Sequence, residues 1–338
     1  MQAVTYLGPA DIQVAQVPEP RGAGALIEIE ACGICGTDLA IAKGAHPRAQ
    51  PGLILGHEFV GRLAEATAGF AKGTRVTAFP LITCGACEAC RSGRAHICAR
   101  LNLYGIDAAG GMAEAVRIPE ALLLEVPEAL PAEVAAQIEP LAVCVRAARQ
   151  AGIDLSPFGN GRGDSVLILG AGPIGVTLAL VLRRLGYHDI TLAEVNPVRQ
   201  AAASALGFTT LAPEFEALAP DLQAQSREGF DLVFDCAGVP AAAELALSLT
   251  RSGGRLTMVA VHKTPVQLDL RDLNFREITL IGTRVYTRED YALALDWIEA
   301  MAAPLAKLVT RYDSFAAAPE VFEALLHGAP DLKVVLHP

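Results

Sequence analysis

The chain has 338 residues, and its 37 acidic against 27 basic side chains leave a formal charge of −10, which disfavours non-specific binding to nucleic acid. Hydrophobic residues make up 52% and charged residues 19%, too apolar for a disordered chain and enough for roughly two domains. No apolar run reaches the ~18–20 residues of a membrane helix, and Met1-Gln2-Ala3-Val4 opens no basic-then-apolar leader, so no membrane partner is expected and the expected compartment is the cytoplasm.

Taken in chain order, residues 1–125 carry short apolar stretches broken by Gly and Pro, such as Ala25-Leu26-Ile27-Glu28-Ile29-Glu30 and Phe59-Val60-Gly61-Arg62-Leu63, which predict short strands and turns. A helix is expected over 132–151, ending at Gly152, then a Gly-rich surface loop over 156–164. From 165 the texture alternates. Strands are expected at 165–169, 190–193, 232–234, 255–261 and 278–281, with helices at 174–185, 197–206 and 241–250 between them. That alternation predicts a doubly wound parallel sheet with right-handed crossovers, an α/β class. Two further helices, 288–301 and 319–326, and a strand at 333–336 close the chain.

Gly170-Ala171-Gly172-Pro173-Ile174-Gly175 matches G-x-G-x-x-G where it must, after a strand and opening a helix. The first glycine permits the tight turn. The second lets backbone N–H groups approach a pyrophosphate, and the third lets the helix pack close to the sheet. Glu194 follows at the end of the second strand, where a carboxylate accepts hydrogen bonds from an adenosine ribose and repels a 2′-phosphate. NAD is therefore expected over NADP, although Arg199 could tolerate a 2′-phosphate.

Eight cysteines in a chain without a visible leader read as metal ligands sooner than as disulfides. Cys84, Cys87, Cys90 and Cys98 offer four thiolates in one loop, suited to a closed tetrahedral structural zinc. An iron–sulfur cluster is the rival, but the fourth cysteine comes seven residues later, where the ferredoxin spacing has three, and Ala99 stands where a proline would follow. A second, mixed set comprises Cys35 in Cys-Gly-Thr-Asp, His57 and Glu58 in Gly-His-Glu, and Glu139 in Glu-Pro-Leu. Alone, each has an ordinary structural explanation: a small buried thiol, a satisfied imidazole, a solvated acid. Together, one Cys, one His and one Glu suit a catalytic zinc with an open position. Cys144 and Cys236 read as buried hydrophobes. Cys32 lacks the context of a redox pair with Cys35.

These stretches, with the closing Lys-Val-Val-Leu, resemble the zinc-dependent medium-chain dehydrogenase/reductase family over nearly the whole chain, in its polyol, threonine and butanediol dehydrogenase branch. The resemblance implies a GroES-like, strand-rich catalytic domain over 1–147 and 285–338, with the structural zinc lobe at about 84–98, and a Rossmann NAD-binding domain over 148–284. It implies two zincs per chain, with Cys35 and His57 as ligands of the catalytic one and Glu58 or Glu139 as the third. It casts Asp38 as the carboxylate that orients His57, and Thr37 as the hydroxyl that takes the substrate proton. Gly170, Gly172, Pro173, Ile174, Gly175, Glu194 and Arg199 are the expected nucleotide contacts, and Lys333 is the base expected near the pyrophosphate. The resemblance also places Cys236, Ala237 and Gly238 at a strand end near the adenosine side and Val261 and Gly282 at strand ends near the nicotinamide, and Tyr104, Arg284 and Tyr286 are guesses for the substrate.

One departure concerns the proton. Family members often carry a relay histidine five residues beyond the zinc cysteine, and here that position is Ala40. The proton must then leave through Thr37 with ribose hydroxyls or water, or through another group such as His46. The expected function is NAD-dependent oxidation of a secondary alcohol (a polyol, sugar or hydroxy acid) in a homotetramer or homodimer. The alternatives are a zinc-free quinone or enone reductase of the same superfamily and a non-catalytic nucleotide-binding protein.

Overall fold

The structure is a computed structural model that describes residues 1–156, 163–211 and 228–338; positions 157–162 of the expected Gly-rich loop lie outside them. It divides into two compact units, Met1–Pro140 with Thr287–Pro338, and Leu141–Tyr286. The division at 140/141 differs from the 147/148 read from sequence. It falls inside the helix Ile138–Gln150, whose Cys144 thiol lies 3.5 Å from the carbonyl of Ile174 in the second unit. The expected single helix over 132–151 is broken into Ala132–Ala135 and Ile138–Gln150. Pro140 explains the break, since its ring would clash with the carbonyl of residue 136 in a continuous helix and it has no N–H to donate there.

The first unit is built on a seven-stranded sheet. Its path runs Leu123–Glu125, Arg75–Ala78, Glu58–Leu63, Ala25–Gly33, Lys333–His337, Val309–Ser314, and Ala115–Ile118 also pairs with Ala25–Gly33. The nine-residue strand Ala25–Gly33 organises it, with Gly33 opposite both Glu58 and Val335. The last strand of the chain thus lies beside one of the first, which is why this unit is discontinuous in sequence. A separate pair, Leu81–Ile82 with Asn102–Leu103, forms the base from which residues 84–98 project. The helix Arg288–Ala306 is stitched to the sheet by Tyr291, whose hydroxyl donates to the Ala78 carbonyl at 3.0 Å and lies 2.9 Å from Thr77 Oγ1.

The second unit holds six parallel strands in the order Thr209–Leu211, Ile190–Ala193, Val166–Leu169, Phe230–Asp235, Thr250–Met258, Thr279–Gly282. Numbered by sequence this is 3-2-1-4-5-6, the Rossmann order. Val166–Leu169 and Ile190–Ala193 are buried at every residue, as strands covered on both faces must be. Helix starts follow local chemistry. Asn196 Oδ1 accepts from the N–H groups of Val198 and Arg199, and Pro197 occupies the first helical position of Pro197–Ala205. The strand expected at 255–261 instead spans Thr250–Met258, and Val261 lies beyond it, 87% exposed. Among the described residues no helix is long and apolar enough to cross a membrane.

Replacing Tyr291 with Phe removes one buried hydroxyl and leaves Thr77 and the Ala78 carbonyl short of a partner. A loss of ~1 kcal/mol is expected, read as a fall of about 2–4 °C in the thermal midpoint. An unchanged midpoint would show that the hydroxyl contributes nothing.

Candidate functional site

The chain turns from the strand Ala25–Gly33 into the short helix Gly36–Ala42, with Cys35 capping it. Asp38 Oδ2 accepts from the Cys35 N–H at 2.8 Å, which fixes the Cys35 backbone at the helix start. Glu58 begins the neighbouring strand, His57 immediately precedes it, and the register Gly33↔Glu58 carries them to the same end of the sheet. One donor atom from each of Cys35, His57 and Glu58 lies within 4.8 Å of the others. His57 and Glu58 are buried and Cys35 half-buried.

Asp38 is fully buried, with Oδ1 3.9 Å from His57 Nδ1, and neither atom has a hydrogen-bond partner among the described residues. Burial disfavours charge on His57, but the charges of Asp38, Cys35 and Glu139 outweigh it and hold the imidazole well above its usual range. Burial also pushes the Asp38 carboxyl up, against the His57 charge and the Cys35 N–H. Glu139, in the first turn of Ile138–Gln150, is 6% exposed and acts electrostatically on His57 and Lys333, yet it lies outside the 4.8 Å set.

Lys333, expected near the pyrophosphate, has a side chain that is 3% exposed; its Nζ pairs with Glu58 Oε2 and donates to the Ile34 carbonyl at 3.0 Å. Burial works against the ammonium, but Glu58, Cys35 and Glu139 hold it above its usual range. The antiparallel pairing of the last strand with Ala25–Gly33 delivers it there. Gly33 leaves room: a Cβ at this position would collide with the Glu58 carboxylate and touch the Lys333 side chain. Three buried carboxylates and the half-buried Cys35 thiol thus face the Lys333 ammonium and the His57 imidazole, an acidic environment a divalent cation would complete.

Thr37 is half-buried in the first turn of the helix that follows Cys35. Beyond that helix the chain folds back, with Ala45 N donating to the Ala40 carbonyl at 2.9 Å, so His46 stands near the position where the family relay is missing. Its Nδ1 is buried without a partner among the described residues, and burial, Arg48 and His57 lower its pKa. Of the guessed substrate residues, Tyr286 is wholly buried, Tyr104 half-buried and Arg284 exposed.

The four sulfurs of Cys84, Cys87, Cys90 and Cys98 form a second set, with separations of 3.4, 3.5, 3.8 and 3.9 Å. Four Zn–S bonds of ~2.3 Å in a tetrahedron put sulfurs ~3.8 Å apart, so the donors fit a closed zinc. Backbone N–H groups of Ala86 and Cys87 favour the Cys84 thiolate and lower its pKa, whereas burial and neighbouring sulfurs raise that of Cys90.

In the second unit, Gly170 adopts φ +97° and packs against Ala237 N, and a Cβ at Gly175 would strike the Gly170 carbonyl. Pro173 opens the helix Pro173–Arg184 and Ile174 follows. Glu194, 5% exposed, accepts from Ala171 N at 2.8 Å and from Asn196 N at 2.9 Å, which binds the strand-end acid to the glycine turn. Arg199 Nη1 comes within 3.9 Å of where a Cβ on Gly172 would sit, and its Nε is buried without a partner among the described residues. The sequence reading overlooked Asp235. It is fully buried, with Oδ1 accepting from Ala237 N and Gly238 N at 2.9 Å and Oδ2 2.7 Å from His262 Nε2.

Two family models match. The alcohol dehydrogenase GroES-like domain covers residues 22–128 and the zinc-binding dehydrogenase domain covers 173–300. An L-threonine 3-dehydrogenase of Xanthomonas campestris is 31% identical over 96% of this chain and 95% of its own length. A 2-dehydro-3-deoxy-L-galactonate 5-dehydrogenase of Pseudoalteromonas atlantica is 29% identical over 96% and 98%. Among solved structures, a zinc-binding dehydrogenase of Sinorhizobium meliloti bound to NADP superimposes with a TM-score of 0.90 at 30% identity, covering 100% of this chain and 99% of the other. An alcohol dehydrogenase of Thermus sp. does so with 0.86 at 30% identity and the same coverage.

The four-sulfur set predicts that Cys98→Ser loses one zinc per chain and lowers the thermal midpoint while the other metal stays. Elemental analysis and a melting curve check this. Full zinc content with an unchanged midpoint would contradict a structural zinc.

Proposed function

The chain belongs to the zinc-dependent medium-chain dehydrogenase/reductase family, and from that premise we propose that it oxidises a secondary alcohol to a ketone with NAD as hydride acceptor. The substrate class we propose is a polyol, sugar or hydroxy acid, supported by relatives named for threonine and for a deoxy-galactonate. The observation that carries the reading is the buried Cys35–His57–Glu58 set: three donors of three kinds, one fewer than a closed site needs, in the unit that also holds a closed four-cysteine set.

Zinc held there supplies Lewis acidity toward a substrate hydroxyl. Cys35, His57 and Glu58 hold it in our reading, with Glu139 as the alternative third donor. Lys333 neutralises the Glu58 oxygen it faces. Asp38, 3.9 Å from His57 Nδ1, favours one ring orientation of that imidazole. Thr37 takes the hydroxyl proton, and water or His46 carries it out. NAD supplies the hydride acceptor; the turn 170–175 holds its pyrophosphate and Glu194 its adenosine ribose.

The test is reduction of NAD and NADP in parallel by the zinc-replete protein, over polyols, sugars, butanediols, threonine, hydroxy acids and simple alcohols. Turnover of one class with NAD and about two zincs per chain is expected. Turnover with NADP alone would overturn the role given to Glu194 in favour of Arg199. Zinc-independent reduction of quinones or enones would favour the reductase alternative, and one zinc with no turnover the non-catalytic one.

We also propose a homodimer or homotetramer, in the cytoplasm. The edge strand Thr279–Gly282 pairs, among the described residues, only with Thr250–Met258. It exposes Leu280, while Leu270 and Phe275 of the preceding helix Leu270–Arg276 are 64% and 86% exposed. An open edge with apolar neighbours is a surface for association. Leu280→Lys should lower the mass seen by light scattering at least twofold; a wild-type monomer, or an unchanged mass, would count against it.

A further inference from the structure

His262 lies four residues past the end of the strand Thr250–Met258, at the carboxyl edge of the parallel sheet. The strand order locates that edge relative to a dinucleotide. Ile190–Ala193, which ends at Glu194, lies on one side of Val166–Leu169, and Phe230–Asp235 with Thr250–Met258 lie on the other. A dinucleotide crosses the sheet where the order reverses, so adenosine at Glu194 puts the nicotinamide half over the ends of these latter strands.

Asp235 ties those ends together. Its carbonyl accepts from Val259 N and Ala260 N at 3.0 and 2.9 Å, Oδ1 holds Ala237 N and Gly238 N, and Oδ2 takes His262 Nε2. Ala237 in turn packs on Gly170, the first glycine of the nucleotide turn. A buried carboxylate of this kind is an acceptor, so Nε2 carries the proton and Nδ1 keeps a lone pair. Nδ1 is buried and has no partner among the described residues. Such an acceptor, fixed in direction and left unpaired, asks for a donor that the protein does not supply.

We infer that His262 recognises the nicotinamide-side ribose of the dinucleotide, its Nδ1 accepting a hydrogen bond from a ribose hydroxyl. This rests on the proposed NAD site, and the ligand series below separates the two. NADH, ADP-ribose and AMP would be titrated against the zinc-replete protein, by nucleotide fluorescence or calorimetry. ADP-ribose keeps the second ribose without nicotinamide, and AMP lacks both. His262→Gln keeps an N–H for Asp235 but puts no acceptor at Nδ1, whereas His262→Ala removes both.

Both variants should weaken NADH and ADP-ribose by about tenfold, as loss of one hydrogen bond implies, and leave AMP unchanged. Full affinity in His262→Gln would overturn the inference, since the imidazole would then act only by holding Asp235. Equal weakening of AMP would also overturn it, by showing general damage to the unit. Failure of the unmodified protein to bind NADH would overturn the NAD site itself.

Discussion

Positive charge in a buried acidic set is the constraint on which the first unit turns. Asp38, Glu58 and Glu139 are each at most 6% exposed, and carboxylates cannot remain ionised out of water without compensation. Lys333 supplies one charge, and a cation at Cys35, His57 and Glu58 would supply the rest. This explains why the C-terminal strand returns to the start of the chain. Without the pairing of Lys333–His337 with Ala25–Gly33, Glu58 would have no ammonium to face. It also explains Gly33, the residue whose missing side chain makes the space. Sheet register and site electrostatics are here one problem with one solution.

The second unit meets its constraint by close approach of backbone. Gly170 and Gly175 let the turn, the helix and the Ala237 segment pack together, and Glu194 and Asp235 each satisfy two backbone N–H groups at their strand ends. The acids serve the fold before any ligand arrives. A carboxylate already aligned by backbone donors needs no reorganisation to meet a ribose, which lowers the entropy lost on binding.

Much of this was legible in the sequence. The alternation of the second unit could be read because parallel strands buried on both faces leave continuous apolar runs bounded by turns. That Cys35, His57 and Glu58 would cluster, and likewise the four cysteines of 84–98, could be read because few other roles gather Cys, His and Glu at such spacings. What resisted reading had physical causes. The break at 136–137 comes from Pro140, whose effect falls on the carbonyl four residues back. The early part of Thr250–Met258 is hidden by Gly253 and Gly254, which carry no strand signal. The contact of Lys333 with Glu58 spans 275 residues, and no local pattern announces a pairing made only by the closing of a sheet.

The two donor sets divide stability from reactivity by how each is held. The lobe 84–98 rests on two-residue strands and contains a four-residue helix with no buried side chain. A metal bound by the four thiolates would add order to a loop that has little regular structure of its own. Cys35, His57 and Glu58 stand at one end of a seven-stranded sheet. A metal there, as we propose it, would not be needed to fold the unit and could keep a position for a ligand that comes and goes. A closed site on a weak scaffold and an open site on a strong one are each the arrangement their scaffold permits.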